Sequence, residues 1–440
     1  MRLSQSILRI RSWVGRLPIR GLFSLPKDTL AYILNTSLQT SRDQIINLFM
    51  LVFIWKFTSD LVTVCQYRLA IALVIPVSAF AAGWLARRSD PVAVFRLGLL
   101  LYIPFLLILL LLGQKAAAWA MLIGLLVGLA DGVFWTGRNT LDFEYGRGRD
   151  AARFLGLQSA ATAAVGLAAP VFFGFLIERT PGIPLIGDNS GYFLLFLLAV
   201  LISLAGVALA VRPPREKRKR VRLDWRIYLP FTTSLKWSMM LLLGALSSFR
   251  YAVASILSVI LFYHLVPSEL ALGGVQSAGT VLTIVLAFAS GHFVTPKNRI
   301  VVHAIAMLCF SLSCGFLGFR ITSLTVILFI LLQRTADGLI RIPTATIRYD
   351  VIRSLPGHED SKTDYAVASE PFLAVGRIAG ILLMIGVIRH FADSGRGQFE
   401  GVKVWLAVLS VMPLAEWCVL WFINRRLKEQ GHAGRHITAG

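Results

Sequence analysis

Apolar residues fall in twelve runs along this chain, at approximately 30–55, 60–85, 91–112, 117–143, 153–177, 191–211, 234–262, 268–294, 300–319, 323–347, 365–391 and 403–423. Each is long enough to cross a hydrocarbon core of about 30 Å as a helix, so the pattern predicts an all-α membrane protein. The first run is unusually polar: it holds Asn35, Thr36, Ser37, Gln39, Thr40, Ser41, Arg42, Asp43, Gln44 and Asn47. A helix starting only at Ile45 would have about eleven residues and could not cross. The polar stretch is therefore expected to line an aqueous cavity, with lipid along only part of its surface.

The runs form two sets of six that repeat each other. Ala130-Asp131-Gly132 in span 4 recurs as Ala336-Asp337-Gly338 in span 10, and Thr140 recurs as Thr346, both at an offset of 206 residues. Ala82-Gly83 at the end of span 2 corresponds to Ser290-Gly291 at the end of span 8. Ala164-Val165-Gly166 corresponds to Ala374-Val375-Gly376. Six-span halves in the same orientation are parallel repeats related by an axis along the membrane normal. The expected organisation is a basic amphipathic N-terminus (1–29), a six-helix bundle (30–211), a basic linker (212–233), a second six-helix bundle (234–424) and a tail (425–440). The two bundles should surround a central cavity.

Composition supports the membrane class. Of 440 residues, 56% are apolar and 15% charged, well below the share of about 25% that a soluble surface needs. The net charge of +21 is sided: segments on one face carry 29 Lys and Arg, against seven on the other. That asymmetry places both termini in the cytoplasm and makes anionic headgroups a sufficient partner for the basic face, without nucleic acid. The four cysteines lie within spans without CxxC spacing, and no HExxH or GxxxxGK[ST] occurs. These patterns point to no disulfide, metal site or nucleotide-driven pump. Residues 1–29 read either as a transit peptide or as an amphipathic segment on the bilayer surface, the second being favoured.

Charges inside spans cost about 2.5–3.5 kcal/mol each at a helix centre and mark a protein interior or a watery path. Here they concentrate in every third helix: Arg42 and Asp43 in span 1; Asp131, Arg138 and Asp142 in span 4; Arg250 in span 7; Arg334, Asp337 and Arg341 in span 10. Spans 2 and 11 add Arg68, Glu370 and Arg377, while span 12 has only Glu416. Spans 1, 4, 7 and 10 are thus expected to wall the cavity, and 3, 6, 9 and 12 to face lipid. Arg42, Asp43, Asp131, Arg250, Asp337 and Arg377 fall near the midplane. Asp131 and Asp337 can face each other across the axis, or each Asp-Gly can simply pack two helices. Arg138 with Asp142, and Asp337 with Arg341, have the i,i+4 spacing of a helix-face pair. With Asn47, Glu370 and Arg377 these residues form the candidate substrate or coupling cavity. Arginine outnumbers acid inside the spans, which tilts the cargo towards an anion or zwitterion. Proton coupling would need an acid that exchanges a proton there, with Asp43, Asp131 and Glu370 as candidates.

The stretch from Asn47 to Thr58 (Asn-Leu-Phe-Met-Leu-Val-Phe-Ile-Trp-Lys-Phe-Thr) and that from Ala82 to Arg88 (Ala-Gly-Trp-Leu-Ala-Arg-Arg) resemble the major facilitator superfamily, in a branch common among bacterial permeases. The resemblance covers nearly all of residues 30–424. The family signature after span 2 is Gly-x-Leu-x-Asp-Arg-x-Gly. Gly83, Leu85, Arg88 and Arg96 fit it, but Arg87 stands at the acid and Asp90 at the second glycine. The resemblance implies a cytoplasmic gate there, altered at Arg87, with Asp90 a substitute. Residues 166–174 (Gly-Leu-Ala-Ala-Pro-Val-Phe-Phe-Gly) are similar to a Gly/Pro-rich element of the family's exporters, or equally to ordinary small-residue packing.

These readings together imply a monomeric, multi-pass secondary transporter of the bacterial cytoplasmic membrane. It would move a small molecule by alternating access, with proton or sodium coupling and no cofactor. Lipid or glycolipid translocation is the alternative, and a membrane-embedded enzyme or a non-transporting sensor is the more distant one.

Overall fold

A computed structural model describes residues 25–146, 150–180, 182, 189–210, 234–355 and 369–437, excepting the side chains of Arg87 and of residues beyond Glu429. The linker 212–233 and nearly all of the N-terminal segment lie outside the described residues. Among those described, twelve helices cross in alternating directions. Helix α1 runs through Lys27–Gln44, a π-helical turn Ile45–Phe49, and Met50–Thr58. It is followed by α2 (Leu61–Arg88), α3 (Pro91–Leu112), α4 (Ala120–Tyr145), α5 (Ala151–Arg179) and α6 (Ser190–Ala208). The second half comprises α7 (Leu235–Leu265), α8 (Glu269–Phe293), α9 (Arg299–Phe319), α10 (Ser323–Arg353), α11 (Glu370–Asp393) and α12 (Gln398–Ile437). Ten segments qualify as spans by length and hydropathy alone. One of them, Pro91–Tyr145, contains both α3 and α4, and α1 falls short because of its polar run. Helix α12 continues past its expected end near residue 423.

Local chemistry sets the helix starts. Asp60 accepts hydrogen bonds from the Val62 and Thr63 amides at the head of α2, and Asp90 from Val92 at the head of α3, where Pro91 takes the first turn. Ser234 and Ser268 cap α7 and α8, and Thr322 forms a capping box with Thr325 on α10. Helix α1 ends at Ser59, whose φ of 50° is left-handed.

Packing repeats between the halves. In the first half α4 lies against α2 and α3, α1 against α5 and α6, and α3 against α6. In the second half α10 lies against α8 and α9, α7 against α11 and α12, and α9 against α12. The main joins between halves are α5 with α8 and α2 with α11. Helices α3, α6, α9 and α12 pack chiefly within their own halves, as the charge pattern anticipates, and α6 and α12 touch the other half at Tyr192 and at Gln398 and Phe399. Glycine permits the close crossings: a Cβ on Gly128 would stand 2.9 Å from the Ile71 carbonyl oxygen, and one on Gly124 2.5 Å from that of Tyr67.

Among the described residues, the side-chain contacts between the halves run from one end to mid-depth. Trp55 meets His264 and Phe399 edge-on, Gln398 bridges the Leu61 amide and the Ser59 carbonyl, and Ser277 donates to the Leu167 carbonyl at 2.6 Å. A Cβ on Gly174 would stand 2.7 Å from Leu270 Cα, so α5 and α8 meet backbone to backbone there. At the opposite end, where α1 begins and α12 finishes, no side-chain hydrogen bond, ion pair or ring contact joins the halves among the described residues. Gly83 and Gly291, the matched pair on α2 and α8, have nothing within 4 Å of a built Cβ, and Phe80, Trp84 and Phe288 are exposed. The halves therefore close at one end and part towards the other. Gly128→Leu is expected to lower the thermal unfolding midpoint in detergent by forcing α2 and α4 apart, at a cost of about 1–3 kcal/mol.

Candidate functional site

A fully buried arginine lies at the middle of each half. Arg42 on α1 donates to Gln39 Oε1 and Asp43 Oδ1, both at 2.8 Å, and its guanidinium lies 3.6 Å from the Tyr102 ring centroid and 4.4 Å from that of Phe134. Tyr102 donates in turn to Asp131. Gln39 also reaches the Ile202 carbonyl, and Asn35 the Gly206 carbonyl, both on α6. In the second half, Arg250 on α7 donates to both oxygens of Glu416 at 2.6 and 3.2 Å and lies 4.6 Å from the Phe310 ring. Ser247 Oγ also donates to Glu416 Oε2, at 2.9 Å. Arg42 and Tyr102 recur as Arg250 and Phe310 at one offset of 208 residues.

This placement corrects the cavity reading of span 1. Asn35, Thr36, Gln39 and Arg42 are wholly buried and turned into the first half, against α3, α4 and α6. Their polarity serves burial, because each polar group removed from lipid and water needs a partner. Arg250 likewise faces Glu416 inside the second half rather than the path between the halves, and Asp131 is buried beside Tyr102 rather than opposed to Asp337.

The accessible face of α1 is supplied by Asp43, half-buried, and by exposed Asn47 at the π turn. That turn shifts the backbone register, and α2 meets it. Tyr67 donates to the Ile46 carbonyl at 3.2 Å, and Arg68 to Asn47 Oδ1 and the Asn47 carbonyl at 2.8 and 2.7 Å. Short π segments recur at functional positions in helices. On α10, Asp337 is half-buried and Arg341 exposed. They share one helix face, but no ion pair joins them. Arg334, one turn earlier, is held by Gln276 at 2.7 Å. On α11, Arg377 and Glu370 pair loosely at 3.5 Å.

Arg138 and Asp142 do form the expected i,i+4 pair, at 3.7 Å. Asp142 also accepts from Tyr32 and Gln158 at 2.7 Å, tying α1, α4 and α5 at the open end. In the gate motif, Arg88 stacks on Trp84, Asp90 caps α3, and Arg96 donates to the Ala210 carbonyl beyond α6. Each of these contacts stays within the first half. The Arg87 side chain lies outside the described residues.

The closed end holds a group that the sequence reading left out. Lys56 at the end of α1 pairs with Glu269 at the start of α8 at 3.0 Å, and the same Oε1 accepts from Tyr192 and Tyr263 at 3.0 and 2.9 Å. Glu178 at the end of α5 accepts from Ser268 Oγ and the Leu270 amide. Two carboxylates thus lock the N-terminus of α8 between the halves, where a helix dipole favours them. The available signal was charge at span ends on the charge-poor face; attention to span interiors passed over it.

The Major Facilitator Superfamily description matches residues 33–381. The chain is 25% identical to the uncharacterized protein YqgE of Bacillus subtilis (strain 168) over 83% of its own length and 82% of that protein's. It is 30% identical to an uncharacterized protein in the sodM 3' region of Geobacillus stearothermophilus, over 36% of this chain and 71% of that one. Among solved structures it is similar to a bacterial homologue of the iron transporter ferroportin in an inward-facing state, with TM-score 0.67, 16% identity, and 91% and 99% of the two chains covered. It is also similar to a bacterial homologue of the human lysosomal transporter Spinster, inward-facing and unoccupied, with TM-score 0.67, 14% identity, and 91% and 97% covered. The nucleoside transporter NupG superposes with TM-score 0.66 at 10% identity, over 90% and 99%.

Arg250→Ala leaves Glu416 buried without its partner and is expected to destabilise the protein by about 3–5 kcal/mol, whereas replacing both residues by leucine recovers most of that loss. Thermal unfolding of the single and double variants in detergent checks both. Glu269→Gln is expected to loosen the closed end, read as several-fold faster thiol labelling of a Ser277→Cys reporter in the α5–α8 seam.

Proposed function

The chain belongs to the Major Facilitator Superfamily, and we propose that this transmembrane transporter is a secondary active carrier of a small molecule, working by alternating access and coupled to a proton or sodium gradient. The observation that carries the reading is the distribution of side-chain contacts between the halves among the described residues: they run from the end around Lys56 and Glu269 to mid-depth at Ser277, with a charged and accessible strip midway along α1 and α10. Each half is braced internally at the open end, by Tyr32, Asp142 and Gln158 in the first, and by Arg299 with Asp350 and Asn424 in the second. Halves braced in this way rock as bodies. Opening the closed end requires separating Lys56 from Glu269 and Ser268 from Glu178, and these losses must be offset by new contacts at the other end.

The described residues of the basic segments, Arg88, Arg96, Arg299 and Arg353 among them, lie at the helix ends on the open side, and with the positive-inside asymmetry this supports an inward-facing state in the bacterial cytoplasmic membrane with both termini cytoplasmic. One chain contains both halves of the path, and it acts as a monomer without a cofactor. Transport, not catalysis, is the activity assigned to it. The candidate coupling acids are placed differently by their partners: Asp43 bonds Arg42, Asp131 bonds Tyr102, and Glu370 lies near Arg377.

In liposomes, the purified protein is expected to move at least one compound of a metabolite panel faster under an imposed pH or sodium gradient. Flux indifferent to both gradients, or absent from a preparation with an intact unfolding transition, overturns coupled transport. Lipid scrambling in the same liposomes would favour a lipid translocase instead.

A further inference from the structure

The two halves use matched residues differently, and the difference leaves one carboxylate unclaimed. In the first half, the tyrosine at the α3 position donates to Asp131, the acid of the α4 Asp-Gly pair. In the second half, phenylalanine occupies that place as Phe310 and has no hydroxyl to offer Asp337, while Glu416 takes Arg250. Among the described residues, Asp337 is the one acid within a span that has neither a hydrogen bond nor an ion pair. It lies near the midpoint of α10, where an unmatched charge facing lipid would be costly. The charged groups around it are Arg334 and Arg341 on its own helix, Arg250 on α7 and Glu416 on α12. Helix α8, packed on the same side, presents Gln276 and Thr283, both engaged with Arg334.

Arg334 and Arg250 are thus held elsewhere, which leaves Arg341, of the three arginines around Asp337, without a direct partner among the described residues. An acid four residues before a basic residue on a helix is the favourable order for a pair, yet Asp337 and Arg341 do not close on each other. The matching spacing at Arg138 and Asp142 does close, at 3.7 Å. One turn further on, Thr344 Oγ1 is buried and lacks a hydrogen-bond partner. Asp337, Arg341 and Thr344 follow at i, i+4 and i+7, one face of the helix over about 10 Å.

We propose that this face of α10 is the recognition surface for the cargo and that it takes a zwitterion, with the ammonium group at Asp337 and the acidic group at Arg341. The proposal rests on the transporter reading above. One unclaimed charge of each sign, a helical turn apart in a region of low dielectric, is satisfied by a ligand bearing both charges. A simple anion leaves Asp337 unmatched beside it, and a simple cation leaves Arg341 unmatched.

The test is thermal unfolding of the detergent-purified full chain with matched probes: a panel of α-amino acids, each set against its des-amino acid and its decarboxylated amine. At least one amino acid is expected to raise the midpoint, with neither of its single-charge relatives doing so. Asp337→Asn and Arg341→Gln are each expected to weaken that response about tenfold or more. Because neither side chain has a hydrogen-bond or ion-pair partner among the described residues, both variants should keep the ligand-free midpoint, whereas Asp131→Asn should lower it. Equal shifts from the des-amino acids, an unchanged response in Asp337→Asn, or no shift from any amino acid overturns the proposal. Gradient-driven uptake separates the two readings: transport of other compounds without amino-acid shifts removes the zwitterion site and leaves transport standing. Amino-acid shifts without flux do the reverse.

Discussion

The structure depends on burying one guanidinium at the centre of each six-helix half. A charge at that depth persists only if the surrounding helices neutralise and solvate it. Arg42 obtains this from Gln39, Asp43 and two aromatic faces, and Arg250 from Glu416, Ser247 and Phe310. The cation–aromatic contacts bind α1 to α3 and α4 in one half, and α7 to α9 in the other. The remaining hydrogen bonds reach α6 and α12. Each arginine therefore positions the inner helix against the outer ones, and the same device at a 208-residue spacing gives both halves a common core.

Compensation differs between the copies, and that difference reaches the path between the halves. A tyrosine and an amide network absorb charge in the first half, so Asp131 is spent on internal packing. A glutamate from α12 does so in the second, where Asp337 stays outside the network. Duplication supplies the frame, and divergence at three positions (Tyr102 against Phe310, Gln39 against Ser247, and Glu416 on α12) decides which half leaves its α4 or α10 acid without a hydrogen bond among the described residues. The closed end obeys the same physics in reverse. Lys56 and Glu269 come from different halves, so their pair lasts only while that end stays shut. Bonds within halves hold each half together, and bonds between them hold the closed end.

Much of the architecture was legible in the sequence because it follows from two periodicities. Runs long enough to cross lipid predict twelve helices, and the Asp-Gly and Ala-Gly matches predict parallel halves; the structure has both. The order of polar and apolar helices also survives, since α3, α6, α9 and α12 lie outermost. What charge counting could not reveal is which way a side chain turns on a helix that has an interior face and a cleft face. Arg42 and Asp43 are neighbours in sequence, yet one is sealed within the first half and the other borders the accessible face. Glu416, noted as the only charge of its span, is the partner of Arg250, a pairing across 166 residues that no local pattern displays. The π turn at Ile45–Phe49 leaves no compositional mark either, because it expresses how α1 is met by Tyr67 and Arg68 of α2.

Sequence alone thus determined the class, the helix count, the repeat and the sided charge, all of which arise from transfer free energy summed along a single helix. Tertiary structure decided which charges are consumed by packing and which are left without a direct partner, because that depends on side chains brought in from distant helices. It also decided which end is shut, since the contacts that close it belong to two halves whose relative tilt no single helix encodes.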